Sequence, residues 1–264
     1  MTNAFKSIVL AAFVLALLQS SSPAAAQARG QGRGQTPAAP APPAPRLPNG
    51  HPDLSGVWMG GGGIAARNLK PGDQILLTPD AKKLMDSRQS KDDPEANCLP
   101  TGVPRMNPYP WRMIQAPTHK PETHIFINFE GNIHSYRQIF MDGRPHPKDP
   151  DPTWYGHSIG RWEGDTLVVD TIGYNDKFWF DIDGHPHTTQ LHTIERFTRT
   201  PDNNLLYRFT VEDPTTWDRT WTGEYPWVAT NEPLYEYACH ESNYALTGVL
   251  RGARVLEADA AQKK

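Results

Sequence analysis

The segment Asp142–Ser158 reads DGRPHPKDPDPTWYGHS and concentrates residues able to move protons, hold an anion and stack on a flat ring. His146 and His157 can act as acid or base near neutral pH, Arg144 can clamp an anionic group, and Trp154 with Tyr155 can stack on a ligand. Pro145, Pro147, Pro150 and Pro152 fix φ at four places, which lowers the entropy lost when these side chains are positioned. Neither helical nor strand periodicity fits the stretch, and long ordered loops carry more than their share of functional groups. The competing reading is a barrel-capping loop whose Asp and His residues satisfy turns.

Six of the ten histidines lie between His134 and His192. In the strand-like run Ile133–Met141, His134, Tyr136, Gln138 and Phe140 share one face. That row would suit a polar ligand cavity inside a barrel, or else it faces water. Asp170 shares a face with Val168 and Ile172; if that face is buried, desolvation raises its pKa and suits it to proton transfer or to orienting a histidine. His185 and His187 stand two apart in DIDGHPHTTQLHTIE, and with His192 they form the one candidate ligand set for zinc or copper, completed by His157 or Asp170. His192-x-x-Glu195 would point oppositely on a strand. Asp181 and Asp183 before Gly184 resemble the opening of a calcium loop, but the remaining ligand positions are missing.

Gly156-His157-Ser158-Ile159-Gly160 matches the letters of the hydrolase nucleophile elbow. That chemistry needs a buried strand before the serine and a helix after it, and neither is predicted around Ser158. No G-x-G-x-x-G follows a strand, so no nicotinamide or flavin site is expected. No organic cofactor is predicted, and a divalent metal is the one alternative.

The elements that must position these groups follow from the rest of the chain. Residues 1–26 have a basic n-region (Lys6), an apolar run (Ile8–Leu18) and an A-x-A site at Ala24–Ala26, the pattern of a secretory signal peptide cleaved near Ala26. The expected location is periplasmic or secreted, and no later segment is apolar enough to span a bilayer. Residues 27–50, rich in Ala, Pro, Gly and Gln, read as a flexible tether, leaving 51–264 as a single domain. With 26 Lys/Arg against 29 Asp/Glu and no basic block, nucleic acid is not an expected partner; a small organic ligand is. The only cysteines, Cys98 and Cys239, are expected to pair in an oxidising compartment, closing a loop of about 140 residues worth at most roughly 5 kcal/mol.

Thr78 looks like an N-cap for a short helix from Pro79 to about Gln89. Three hairpins follow. Ile125–Phe129 turns through Glu130-Gly131-Asn132 into Ile133–Met141. Ile159–Trp162 turns through Glu163-Gly164-Asp165 into TLVVDTIG. Leu191–Arg199 turns at Pro201–Asn204 into LLYRFTVE, whose Leu205, Tyr207, Phe209 and Val211 share a face. A Trp-rich segment (Trp217, Trp221, Trp227) adds one or two strands, and Asn243 to about Ala260 reads as a helix. The fold predicted is mainly β: a lipocalin-like up-and-down β-barrel, with a two-sheet sandwich as the alternative, flanked by a short N-terminal and a C-terminal helix.

DLSGVW (Asp53–Trp58) resembles the Gly-x-Trp signature near the first strand of lipocalin-like proteins. The blocks CLPTGVPR, DGRPHP, DPTWYGHSIGRWEGDTLVVDTIGYND and GHPHTTQLHTIERF together resemble a large family of exported bacterial proteins without an assigned activity. The resemblance implies the domain boundary and no catalytic residue. Three functional readings stand. The first is an acid–base enzyme of lyase, hydratase, isomerase or hydrolase type at the barrel mouth. It would use His157 and Asp170 as base and orienter, His146 or His187 as second proton carrier, Arg144, Tyr155, His134 and Tyr136 as binding groups, and Trp154 as a wall. The second is a binding protein for an aromatic or amphipathic ligand, and the third is a histidine metal site. Oligomeric state is not legible.

Overall fold

The computed structural model describes residues 44–60, 68–69, 72–105, 109–115, 122–131, 135–239 and 244–262. Nine strands close into one barrel in chain order: β1 Gly56–Gly60, β2 Trp111–Gln115, β3 His124–Phe129, β4 Tyr136–Phe140, β5 His157–Glu163, β6 Thr166–Ile172, β7 His192–Arg199, β8 Asn204–Glu212 and β9 Trp221–Thr230. Helix α1 (Pro79–Ser87) begins at Thr78, whose side chain accepts from the Ala81 amide, with proline in the first turn. Helix α2 (Tyr244–Gln262) ends the described chain, its side chains from Gly248 onward exposed.

The β5–β6 hairpin turns in two residues, Gly164 at φ +60° supplying the left-handed step that Glu163↔Thr166 pairing requires. β7 and β8 pair from His192↔Glu212 to Arg199↔Leu205, with Leu205, Tyr207, Phe209 and Val211 buried as their alternation predicts. β2 is a strand that the sequence reading did not separate from its surroundings. It pairs with β1 and β3 and buries Trp111 and Met113.

One pairing departs from an up-and-down order. β4 and β5 run parallel, matched only at Ile139↔Ser158 and Phe140↔Ile159, while all other neighbours, including β1 and β9, are antiparallel. A closed ring with an odd number of strands cannot alternate direction throughout, so one parallel pair is obligatory. Parallel neighbours need a connection that returns along the strand length. The Pro-rich segment 141–156 is that connection. It re-enters at Gly156, φ +63°, where a Cβ would stand 2.6 Å from the Ile172 carbonyl oxygen.

The described strands share a large aromatic and aliphatic core. Trp58, Trp111, Ile127, Phe197, Tyr207, Phe209, Tyr225 and Trp227 belong to one buried cluster, with Trp111 and Trp227 edge-to-face at 5.3 Å between centroids. Each such side chain contributes about 1.5–3 kcal/mol on burial. Among the described residues, one ion pair lies within this core. Arg137 of β4 meets Glu195 of β7, both side chains 1% exposed, and Arg137 also donates to Ser158 (3.0 Å) and Thr171 (2.8 Å). Tyr207 donates to Glu195 at 2.8 Å. Burial disfavours the Arg137 charge, but the Glu195 carboxylate more than offsets it and holds the guanidinium protonated.

Outside the strands, Cys98 and Cys239 form a disulfide with Cα atoms 5.9 Å apart, tying the chain after β9 to the segment before β2. Ordered contacts begin before residue 51: Arg46 donates to Asp165 at 2.9 Å, and His51 stacks on Trp162 at 4.6 Å. The last residues assigned to the tether therefore lie against the barrel. Among the described residues no helix is long and apolar enough to cross a membrane.

Because removing one partner of a buried pair strands the other charge, Arg137→Met is expected to cost about 3–5 kcal/mol by urea denaturation. The double change Arg137→Met/Glu195→Leu should recover most of that loss. A single variant within 1 kcal/mol of the parent would show that the pair is not the clamp described.

Candidate functional site

The strand alternation decides which side of the wall each group occupies. On β4, Arg137 and Ile139 point inward, whereas Tyr136, 61% exposed, Gln138 and Phe140 face outward. The row containing Tyr136 therefore lines no internal cavity, and His134 lies outside the described residues. On β5 to β8 the outward set includes His157, Asp170, His192 and Glu212, while their neighbours Ser158, Thr171, Thr193 and Val211 are buried. The pairing registers His157↔Ile172 and His192↔Glu212 gather these outward groups at one end of the wall.

The crossover 141–156 lays His146 over them. His146 Nδ1 lies 2.9 Å from His157 Nδ1, and His146 Nε2 lies 3.1 Å from Asp170 Oδ1. His192 Nε2 reaches the same Asp170 oxygen at 2.9 Å, and His192 Nδ1 is 3.5 Å from Glu212. The candidate site is thus on the outer wall beneath a rigid crossover, not in the barrel mouth. Asp170 orients His146 rather than His157 directly.

The hydrogen positions follow from the network. A carboxylate only accepts, so His146 and His192 each present Nε2–H to Asp170. The two Nδ1 atoms at 2.9 Å share a single hydrogen. With His146 carrying its hydrogen on Nε2, His157 donates from Nδ1. That leaves the His157 Nε2 lone pair with no hydrogen bond among the described residues. Electrostatics support this arrangement. Desolvation, with His146 and Arg144 nearby, pushes His157 below its ordinary 6.5. Hydrogen bonding to Asp170 raises His192, and the same bond lowers Asp170. The expected rise at Asp170 is therefore corrected: its face is half open, and two imidazoles stabilise the carboxylate.

His157 also lines a groove of about 400 Å³ between β4 and the crossover, with Tyr136, Gln138, Phe140, Asp151 and Tyr155. Phe140 stacks on His157 at 5.0 Å and carries the Arg144 guanidinium 4.0 Å above its ring. Arg144 itself is paired with Asp142, outside the groove lining. Tyr155 bonds to Ser135 and stacks on Phe129, and burial pushes its hydroxyl up to about 12. Trp154 packs against the core instead of walling the groove. A larger groove of about 580 Å³ beside β1 and β2 has only Arg112 and Glu232 as charged lining groups and no histidine.

Other expected participants are elsewhere. His187 is buried, donates from Nε2 to the Phe178 carbonyl at 2.9 Å and is pushed down to about 4 by desolvation; it carries no proton to the site. His185 donates to Asp181, and His192 belongs to Asp170, so His185, His187 and His192 do not converge on a metal. Among the described residues no group of three His, Cys, Asp or Glu is arranged to hold one. Asp181 accepts the amides of Asp183 and His185, which makes it a loop-holding residue rather than a calcium ligand. Ser158 sits within β5 against Arg137 and Thr171, with no helix behind it. Glu212 and the pairing role of His192 were missed; only the β6–β7–β8 registers reveal them.

Comparison with family models, curated proteins and solved structures found no match.

The opposed shifts give a pH signature. Stability from His192 is complete below pH 6.5 and lost as pH rises through its raised value. That from Asp170 is complete above 3.8 and lost as pH falls through its lowered value. His157, favoured neutral, contributes above 6.5 and loses its contribution as pH falls through its lowered value. Histidine NMR titration should therefore place His157 below 6.5 and His192 above it, with Asp170→Asn moving His192 downward; coincident titrations would refute the arrangement. Among the described residues His146 alone supplies side-chain hydrogen bonds from 143–151 to the wall. His146→Ala should accelerate tryptic cleavage after Lys148 several-fold, read by fragment mass; unchanged cleavage would mean that other contacts hold the crossover.

Proposed function

We propose that this protein is an exported small-molecule enzyme that works by general acid–base catalysis at the outer wall of the barrel, with His157 as base. The observation that carries the reading is the unbroken hydrogen-bonded chain His157–His146–Asp170–His192, whose free end lines a groove. A proton taken at His157 Nε2 makes that ring an imidazolium. Its Nδ1 hydrogen can pass to His146 Nδ1, moving positive charge beside the Asp170 carboxylate, and the return path lets the same pair act as acid. Asp170 favours the His192 imidazolium, and the His192 hydrogen bond in turn favours the Asp170 carboxylate and holds it in place.

Lyase, hydratase, isomerase and hydrolase chemistry need only this base, acid and binding surface. The signal-peptide pattern and the disulfide support a periplasmic or secreted setting. The second reading, a carrier for an aromatic or amphipathic ligand, is favoured by the tyrosines lining the same groove.

A mixed library of small organic molecules and saccharides, followed by mass spectrometry, tests both readings. Any substrate turned over should be consumed about 10²–10⁴-fold more slowly by His157→Ala, with binding retained. Turnover indifferent to His157→Ala would overturn the base assignment. Binding without turnover by the parent would favour the carrier.

A further inference from the structure

Tyr136 lines two grooves. One is the His157 groove. The other, about 520 Å³, is lined by Asn128, Phe129, Tyr136, Leu234, Tyr235 and Glu236. Beneath them, the buried Phe129 of one lining stacks on Tyr155 of the other at 5.3 Å. They form one track over the outer face of β3 and β4, from His157 to the chain after β9. Tyr136 and Tyr235, 61% and 62% exposed, are the only Trp, Tyr or Phe side chains exposed among the described residues whose side-chain exposure is known, and both lie on this track.

The chemistry of the track narrows what can lie on it. Its charged lining groups other than Arg137 are the carboxylates Asp151 and Glu236. Arg137 is buried and paired with Glu195, while Arg144 at the rim is paired with Asp142. No free cation among the described lining residues would meet an anionic ligand. The track is also open and edged by amides and hydroxyls (Asn128, Gln138, Thr153), unlike the enclosed apolar pocket that an aliphatic ligand requires. Aromatic faces with side-chain amides and carboxylates between them suit a molecule that has an apolar face and a ring of hydroxyls. A pyranose has both: axial C–H bonds stack on a tyrosine face while its equatorial hydroxyls donate to Asp, Glu, Asn and Gln oxygens.

We infer that the track binds a neutral oligosaccharide, with sugar units on Tyr235 and Tyr136 and one end beside His157. That this end is also the reacting end rests on the His157 reading; binding along the track does not.

Calorimetry of the chain with cellohexaose, xylohexaose, maltohexaose and chitohexaose tests the inference, with hexagalacturonate and spermidine as anionic and cationic comparators. At least one neutral hexasaccharide should bind. Tyr136→Ala and Tyr235→Ala should each weaken that binding about tenfold. Tyr136→Phe should retain it, because the ring face is kept. Binding of none of the four, binding of the comparators alone, or binding unmoved by Tyr136→Ala would overturn the inference. Saccharide binding without turnover would leave the inference standing and show only that the end beside His157 is not the reacting end for these sugars.

Discussion

Nine strands cannot alternate in direction all the way around a closed ring, and this barrel takes its one parallel pairing between β4 and β5. The consequences reach the whole molecule. The junction has two paired positions, against seven between β5 and β6, so it is the weakest seam by main-chain pairing. Side-chain interactions cross it on both faces. Inside, Arg137 of β4 reaches Ser158 of β5, Thr171 of β6 and Glu195 of β7. Outside, Phe140 of β4 stacks on His157 of β5, and the crossover demanded by the parallel pairing bonds through His146 to both β5 and β6. The same topological requirement thus places a buried ion pair on one side of the wall and a histidine cluster on the other.

The histidine cluster obtains its asymmetry from its surroundings rather than from residue type. His157 and His192 are the same amino acid on the same wall, yet one is shifted down and the other up. Desolvation and neighbouring positive charge act on His157, and a carboxylate acts on His192. One imidazole biased toward its neutral form and one biased toward its cation then coexist within one hydrogen-bonded chain. The groove beside it is bounded by a connection with four prolines, whose stiffness holds His146 at bonding distance without backbone pairing along most of its length.

Much of the architecture was legible. The clean alternation of Leu205 to Glu212 assigned both faces of β8 correctly, and Glu163-Gly164-Asp165 and Thr78-Pro79 marked a turn and a cap that the structure contains. The pairing of Cys98 with Cys239 followed from compartment and number. Of the site, His146, His157 and Asp170 do come together, because residue chemistry selects groups that can titrate. The face of β4 was not legible. Period-two alternation separates Arg137 and Ile139 from Tyr136 and Gln138 without saying which face is inside.

Sequence by itself therefore determined most of the strands, β2 excepted, the turns before β6 and β8, the cap, the cysteine pair and the pool of residues able to do chemistry, all of which depend on contacts a few residues apart or on composition. Only the tertiary structure decided that Arg137 points inward, that the candidate site lies on the outer wall, that His146 stands between His157 and Asp170, and that His187 is a core residue. Those facts depend on strand register and on closure of an odd-numbered ring, which bring together residues from β4 to β8 and the crossover. No local pattern encodes the partner Glu195 that turns Arg137 inward, or the position at which the crossover sets His146 over the wall.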